Sequence, residues 1–473
     1  MARGRDNTPE EPTTGRGSVS KRDLANQHRL MALGDAVDQQ RGTKGGRRKP
    51  RKTRRRRVGR NFAIAGIALV VLIAGVVGGA YFYANWRFDQ IHKITVVGEG
   101  PKPISGKPFN ILMIGSDSRA GLTGLVAKQS GAGSGGISGQ RSDSVKIVHV
   151  DPTAGTISIV SIPRDTMVTL LANQSTYGKY NRINVNFGKG PSLVAQTITA
   201  NFGITINQTI VVSFAGLINA ADALGGVYLD FRYPSWDPES GLRILHPGCQ
   251  LLKGFPVLAL SRSRHFYYNT SGAKFFPHLT DSYGELLSLG WQYDGSSDFG
   301  RIIRQDDFLR AMVDGAKKLY NPLTLNSFLS ALPQGISLDS NFTLRELVGL
   351  AVRFHSINTS AIQTWTLPNY AVNNLGTLGD VLFVQQPAAQ QLLVNIFGSG
   401  LTAPADPPPN SALQSLPPPV VTTTTSTLPT STTTLATKKK SSTSTSTSTS
   451  TTTTTLNPTL AQPVFDPTPC TPS

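Results

Sequence analysis

Hydrophobic patterning divides this chain into three unlike stretches. Phe62 to Ala84 is 23 residues without a charge, enough to cross a bilayer core of about 30 Å. From Phe109 to about Gly400, short β-branched runs alternate with stretches of helical period. Beyond residue 402 the pattern stops, and Thr422 to Thr455 is nearly all Ser and Thr, which cannot form a core.

In the middle stretch, Phe109–Ile114 predicts a strand, followed by a turn-forming loop at Gly115–Gly121. Val145–Asp151 and Thr156–Ile162 flank Pro152-Thr153-Ala154-Gly155 and predict a β-hairpin. Ile210–Ser213, Val227–Phe231 and Gln363–Leu367 read as further strands. Pro191–Phe202 predicts a helix opened by Pro and stopped by Gly203. Phe214–Leu224 predicts another, ended by Gly225-Gly226. Arg301–Leu319 and Gln385–Phe397 are helical by period, and Thr343 with Glu346 caps a helix to about Phe354. Phe266–Ser297 is polar, aromatic and irregular, and reads as a long loop. The mixture without a strict βαβ repeat predicts an α/β (α+β) fold, a three-layer α/β/α domain with a mixed central sheet.

Charge changes the picture at one end. Of the formal +18, +12 lies in residues 1–60, which hold 18 Lys+Arg against 6 Asp+Glu. The run Arg47–Arg57 alone reads as a nucleic-acid patch. Directly before an apolar span it instead sets orientation, with the N-terminus cytoplasmic. Tyr81, Phe82, Tyr83 and Trp86 stand where an interfacial belt belongs. A cleaved signal peptide is the rival reading, but its basic region would be about 60 residues, far beyond the usual length. The expectation is a single-pass cell-membrane protein with no nucleic-acid partner. Residues 1–61 are a disordered basic arm, 62–86 a transmembrane helix and 87–108 a juxtamembrane connector. Residues 109–400 are an extracytoplasmic domain and 401–473 a Pro/Ser/Thr-rich tail, as a stalk or plain disordered segment. Outside the membrane, the two cysteines, Cys249 and Cys470, are free to form a disulfide that pins the tail's end to the fold; free or intermolecular thiols are the alternative.

The candidate chemistry gathers at the hairpin's open end. If pairing centres near Ala154, Asp143 falls opposite Asp165, with Arg141 and Arg164 beside them. Facing like charges destabilise a sheet by up to about 1 kcal/mol. Plain ion pairs with the arginines offset that. So does a hard divalent cation, Mg2+ (or Mn2+), which takes one or two carboxylates and leaves the arginines free for phosphate. Asp117 and Arg119 follow the first strand, Arg182 lies in KYNRINVNFG, and Arg262 and Arg264 form an R-x-R. Arg301, Arg304 and Gln305 are spaced to share one helix face. Arginine near a helix N-terminus opposes the macrodipole unless an anion sits there. Singly, each has a plainer reading: a solvated helix end, a surface arginine, a turn aspartate, and for His149 a structural strand position. Together, in an otherwise near-neutral domain, they point to a phosphate-bearing ligand and a divalent metal.

The ordered segments FNILMIGSDSR, QRSDSVKIVHVD, ISIVSIPRDTMV, RINVNFG, FAGLINAADALGGVYLDF, LKGFPVLALSRSR and SDFGRIIRQDDFLRAM resemble the LytR-CpsA-Psr family over about residues 105 to 320, with the domain running on to about 400. The resemblance implies a membrane-anchored phosphotransferase. It would move a glycopolymer from a polyprenyl-pyrophosphate carrier to peptidoglycan with Mg2+, holding the lipid tail in an apolar pocket. A polyprenyl-pyrophosphate pyrophosphatase and a non-catalytic polyprenyl-phosphate-binding scaffold are the alternatives. By position, it implies Asp143 and Asp165 as metal ligands, and Arg141, Arg164, Arg262, Arg264, Arg301, Arg304 and Gln305 on pyrophosphate. Arg182 stands where the family has a basic residue, often Lys, and Asp117 is a candidate catalytic carboxylate, as are Asp143, Arg164, Asp165 and Arg264 catalytic groups. Two features depart from the family. Its double Gln is Gln305-Asp306 here, and the stretch from Arg264 to Asp298 is long.

Overall fold

A computed structural model describes residues 21–42, 52–104, 106–129, 142–355, 362–409 and 463–471. The chain divides into two compact units, Met1–Gly79 and Ala80–Ser473. In the first, Lys21–Gly42 is a helix rather than disordered chain. Its run of Leu, Ala, Gln and Arg without Pro favours that state. A second helix, Lys52–Asp89, exceeds the expected span at both ends. Its Arg60–Asp89 part, of mean hydropathy 2.6, is long and apolar enough to cross a membrane by length and composition.

The second unit is built on a seven-stranded mixed sheet. In spatial order its strands are His92–Ile94, Ile336–Asp339, Gln208–Val212, Phe109–Ser116, Ser142–Asp151, Thr156–Ile162 and Gln363–Thr366. Alternation along the strands feeds two cores. Leu112, Ile114, Val145, Ile147 and Ile162 pack under Val194 and Ile198 of helix Pro191–Phe202 and Leu393 and Phe397 of helix Ala388–Phe397. Phe109, Ile111 and Val150 face the other way, onto Ala220, Leu329 and Leu344. The expected three layers are therefore present. Gly203 closes its helix at φ 71°, the left-handed value that favours glycine there. Thr343 and Glu346 form the expected capping box.

Three expectations are corrected. The connector is part of the domain: His92–Ile94 pairs with Ser337–Asp339, and Phe88 and Ile91 are buried. The hairpin pairs Asp151 with Thr156 and Val145 with Ile162, so by continuation Asp143 faces Arg164 rather than Asp165. The turn causes the half-residue shift, because Asp151 Oδ1 accepts from the backbone of Thr153 and Ala154 and fixes the four residues 152–155 as the loop. The stretch Phe266–Ser297 is not a loop. Tyr267–Asn269 and Trp291–Tyr293 join Ser235–Asp237 and Leu242–Ile244 in a four-stranded sheet, with helix Tyr283–Ser288 between. Strands of three residues are too short to show a period. The expectation of a disulfide that pins the tail's end to the fold holds. Thr468–Pro469 pairs with Leu229–Asp230, and Cys249 and Cys470 form a disulfide with Cα atoms 6.0 Å apart.

Candidate active site

The interior strands Phe109–Ser116, Ser142–Asp151 and Thr156–Ile162 deliver Asp117, Asp143, Arg164 and Asp165 to one end of the strands. Arg164 lies between the two carboxylates. Its Nη1 is 2.9 Å from Asp143 Oδ1 and its Nε 3.3 Å from Asp165 Oδ2. Burial lowers the Arg164 pKa, but Asp165, Asp298 and Asp143 outweigh it and raise it overall. Arg182 reaches the far side of Asp165 at 3.5 Å and donates to the carbonyls of Leu378 and Asp380. Its guanidinium is thus largely used in holding that aspartate and the neighbouring loop.

The second wall comes from helix Phe255–Arg262 and the N-terminal turns of helix Ser297–Ala316. Arg264 bonds Asp298 at 3.1 Å and lies 3.9 Å from Asp143. Arg301 takes both oxygens of the same Asp298, at 2.9 and 3.0 Å, and is 2% exposed. Arg262 lies over the Phe214 ring, 5.3 Å from its centroid. Burial, and then the neighbouring charge of Arg119, push the Arg262 pKa down; burial also pushes Arg301 down, against Asp298 and with Arg264. Guanidiniums stay charged regardless. The cleft therefore holds crowded, partly desolvated cations. Five arginines line it (Arg119, Arg164, Arg262, Arg264, Arg301) against Asp117, Asp143 and Glu239. Such a surface is relieved by a multiply charged anion.

This charged cavity, of about 250 Å³, adjoins a second of about 260 Å³. The second is apolar and runs between the sheet and the helices, past Leu217, Phe308, Met312, Phe328 and Leu338. Asp143, Phe214, Arg262 and Arg301 line both. Gln305 lines the apolar cavity and donates to the carbonyl of Ser261.

Not every expected residue comes to the cleft. Arg304 is fully buried, with Nη1 on Asp294 at 2.9 Å and on Asp466 at 2.5 Å, and its ring-stacking partner is Phe266. The two arginines do lie one turn apart on the helix, but Arg304 is enclosed by Asp294, Asp466, Phe266 and the Ser263 carbonyl. Arg141 lies outside the described residues. His149 bonds Asn110 and packs edge-on against Phe397, a structural position as expected. Sequence reasoning missed Lys146, whose Nζ is 2.6 Å from Asp306 and 2.7 Å from Ser161 Oγ in the wall of the apolar cavity. Burial lowers Lys146 and raises Asp306. The signal was present, since a lysine within a buried strand requires a partner, and Asp306 is the residue that breaks the double Gln. Asp237 was also missed; its Oδ2 accepts from Ser263 Oγ and from the backbone of Arg264 and His265. Nothing local in SWD marks it.

Among the described residues no cluster of three or more His, Cys, Asp or Glu stands ready for a metal. Asp143 and Asp165 nonetheless supply oxygen donors on either side of one guanidinium. That donor set suits a hard cation that draws its other ligands from phosphate and water.

The chain is 27% identical over 320 residues to the probable cell wall biosynthesis protein LcpB of Corynebacterium glutamicum, covering 66% of either chain. It is 24% identical over 262 residues to the polyisoprenyl-teichoic acid–peptidoglycan teichoic acid transferase TagV of Bacillus subtilis, covering 55% of this chain and 56% of that one. It thus spans about two thirds of the first relative's length and just over half of the second's. The structure of a LytR-Csp2A-Psr enzyme from Actinomyces oris is 18% identical, with a TM-score of 0.48 over 67% of this chain and 99% of that one. The LytR_cpsA_psr family profile matches residues 88–271 and 291–396, and its internal gap falls on the helix-bearing part of the stretch that joins Arg264 to Asp298. The match covers more than half of the chain, and the chain belongs to the LytR_cpsA_psr family.

Proposed function

We propose that this protein transfers a glycopolymer from a polyprenyl-pyrophosphate carrier to peptidoglycan, releasing polyprenyl phosphate at the outer face of the cell membrane. One observation carries the reading: an arginine-lined cavity and an apolar cavity share Asp143, Phe214, Arg262 and Arg301. A ligand with a charged head and a long hydrocarbon tail uses both. The names of the relatives, among them a polyisoprenyl-teichoic acid–peptidoglycan transferase, agree with it. The apolar helix found among the described residues would supply an anchor, and the arginines before it support a domain outside the membrane by the positive-inside rule.

In this reading Arg164, Arg262, Arg264 and Arg301 bind the pyrophosphate. They stabilise charge on the transferring phosphoryl oxygens, the main source of catalysis in such reactions. A peptidoglycan hydroxyl attacks the sugar-side phosphorus. The bond from that phosphorus to the bridging oxygen breaks, and polyprenyl phosphate leaves with the electron pair. Asp117, in the cleft wall, would take the hydroxyl proton. Asp143 and Asp165 would hold Mg2+ or Mn2+, which would neutralise further phosphate charge.

The test compares binding of inorganic pyrophosphate with polyprenyl pyrophosphates of increasing length. Affinity should climb with the tail, by about 0.8 kcal/mol for each CH2 buried, until the cavity is filled. Affinity independent of the tail would remove the apolar cavity from the account. Equal turnover with and without peptidoglycan would instead assign a pyrophosphatase.

A further inference from the structure

The arginine pair at the cleft is held from behind by the far end of the chain. Arg262 and Arg264 flank Ser263, whose backbone is fixed from two sides. Asp237 Oδ2 takes the Ser263 hydroxyl at 2.6 Å and the N–H groups of Arg264 and His265 at 2.9 Å. Arg304 Nη2 donates to the Ser263 carbonyl at 3.1 Å. Arg304 is itself held at Nη1 by Asp294 and, 162 residues further along the chain, by Asp466. Asp294 also accepts from Ser296, through both its N–H and its hydroxyl, so it is not dedicated to Arg304.

Asp466 reaches this place because the segment 463–471 is fastened there. Phe465 stacks on Tyr268 at 4.5 Å, Thr468 and Pro469 extend the sheet beside Asp230 and Leu229, and Cys470 is bonded to Cys249. The segment 463–471 lies beyond the part of the chain matched by the family, which ends at 396. The Asp466 side chain is fully buried, so its contact with Arg304 is not diluted by water.

We propose that Asp466 is a positioning residue for the phosphate-binding arginines, acting through Arg304 on the Arg262–Arg264 turn, so that the disulfide-pinned C-terminal segment completes the site. The inference rests on the pyrophosphate reading of the cleft. Loss of the Asp466 contact leaves Arg304 with one shared carboxylate and loosens the Ser263 carbonyl, and small displacements of charged groups are costly for a bound anion.

The test uses the full chain in detergent micelles. Inorganic pyrophosphate affinity is measured by calorimetry, and Tm is measured in parallel. Asp466→Ala should weaken binding about tenfold, whereas Asp466→Asn, which keeps an acceptor oxygen for Arg304, should stay within about threefold of wild type. Leu393→Ala, on the core face of helix Ala388–Phe397 and away from both cavities, should lower Tm and leave the affinity unchanged. Wild-type affinity in a folded Asp466→Ala variant would overturn the proposal. So would an affinity loss in Leu393→Ala in proportion to its Tm, since the loss in Asp466→Ala would then follow stability alone. A wild-type chain that does not bind pyrophosphate would overturn the reading of the cleft itself, and this inference with it.

Discussion

Arg301 and Arg304 stand one turn apart on the same helix, both buried, and do opposite work. Arg301 shares one partly exposed aspartate, Asp298, with Arg264 and lines both cavities. Arg304 is held by two aspartates, Asp294 and Asp466, both with fully buried side chains, and lines neither cavity. The first arrangement has more positive than negative charge and a route to solvent. The second is closed. Residue type and helical spacing are the same for both, so what separates a binding arginine from a structural one is the count of carboxylates and the presence of an opening.

The largest effect expected from this comparison is on the closed side. Arg304→Met leaves Asp294 and Asp466 buried without a cation and should cost about 3–5 kcal/mol of stability. Denaturant unfolding measures it, and a loss below about 1 kcal/mol would mean that the triad is not structural. On the open side, Arg264→Ala should lower turnover by about 10²–10³-fold while shifting stability by less than about 1 kcal/mol, because its ion pairs are partly solvated. Near-wild-type turnover would remove Arg264 from the chemistry. Cys470→Ser unpins the segment that supplies Asp466 and should cost about 2–4 kcal/mol, read as a lower Tm under oxidising conditions. Equal Tm values with and without the disulfide would show that packing alone holds the segment.

The smallest effect concerns pH. Burial raises the Asp466 carboxyl to about 6, with Arg304 opposing and Asp294 adding to the shift. Its unfolded value is about 3.9. The folded state therefore binds more protons between these values, and the group's stabilising contribution, full below about 4, is lost as pH rises through about 6. The Tm difference between wild type and Asp466→Asn should change across that interval. A difference that stays constant from pH 4 to 7 would contradict the assigned shift.

Long elements with a clear period were legible in the sequence. Helices Pro191–Phe202 and Leu344–Phe354 and strand Val227–Phe231 fall at or close to their predicted positions, because caps, glycines and β-branched residues act locally. The cleft was legible in part. Arg164, Asp143, Arg262, Arg264 and Arg301 converge as expected, since strand and helix ends bring them there. What was not legible depends on distant chain. The partner of Arg304 lies 162 residues away, beyond a Ser/Thr tract. The hairpin register turned on a side-chain bond of Asp151 inside the turn. The sheet between Phe266 and Ser297 is made of three-residue strands that rely on neighbours for their order.

The most direct test of the central claim is release of polyprenyl phosphate by the purified full chain in the presence of a polyprenyl-pyrophosphate-linked glycan and peptidoglycan. It is run with Mg2+ or with EDTA, for wild type and Asp165→Ala. The account predicts transfer that needs the metal and falls to background in the variant. Tight lipid binding without turnover in any condition would contradict it, and the aspartates and arginines of the cleft would then be the ion pairs of a lipid-holding scaffold.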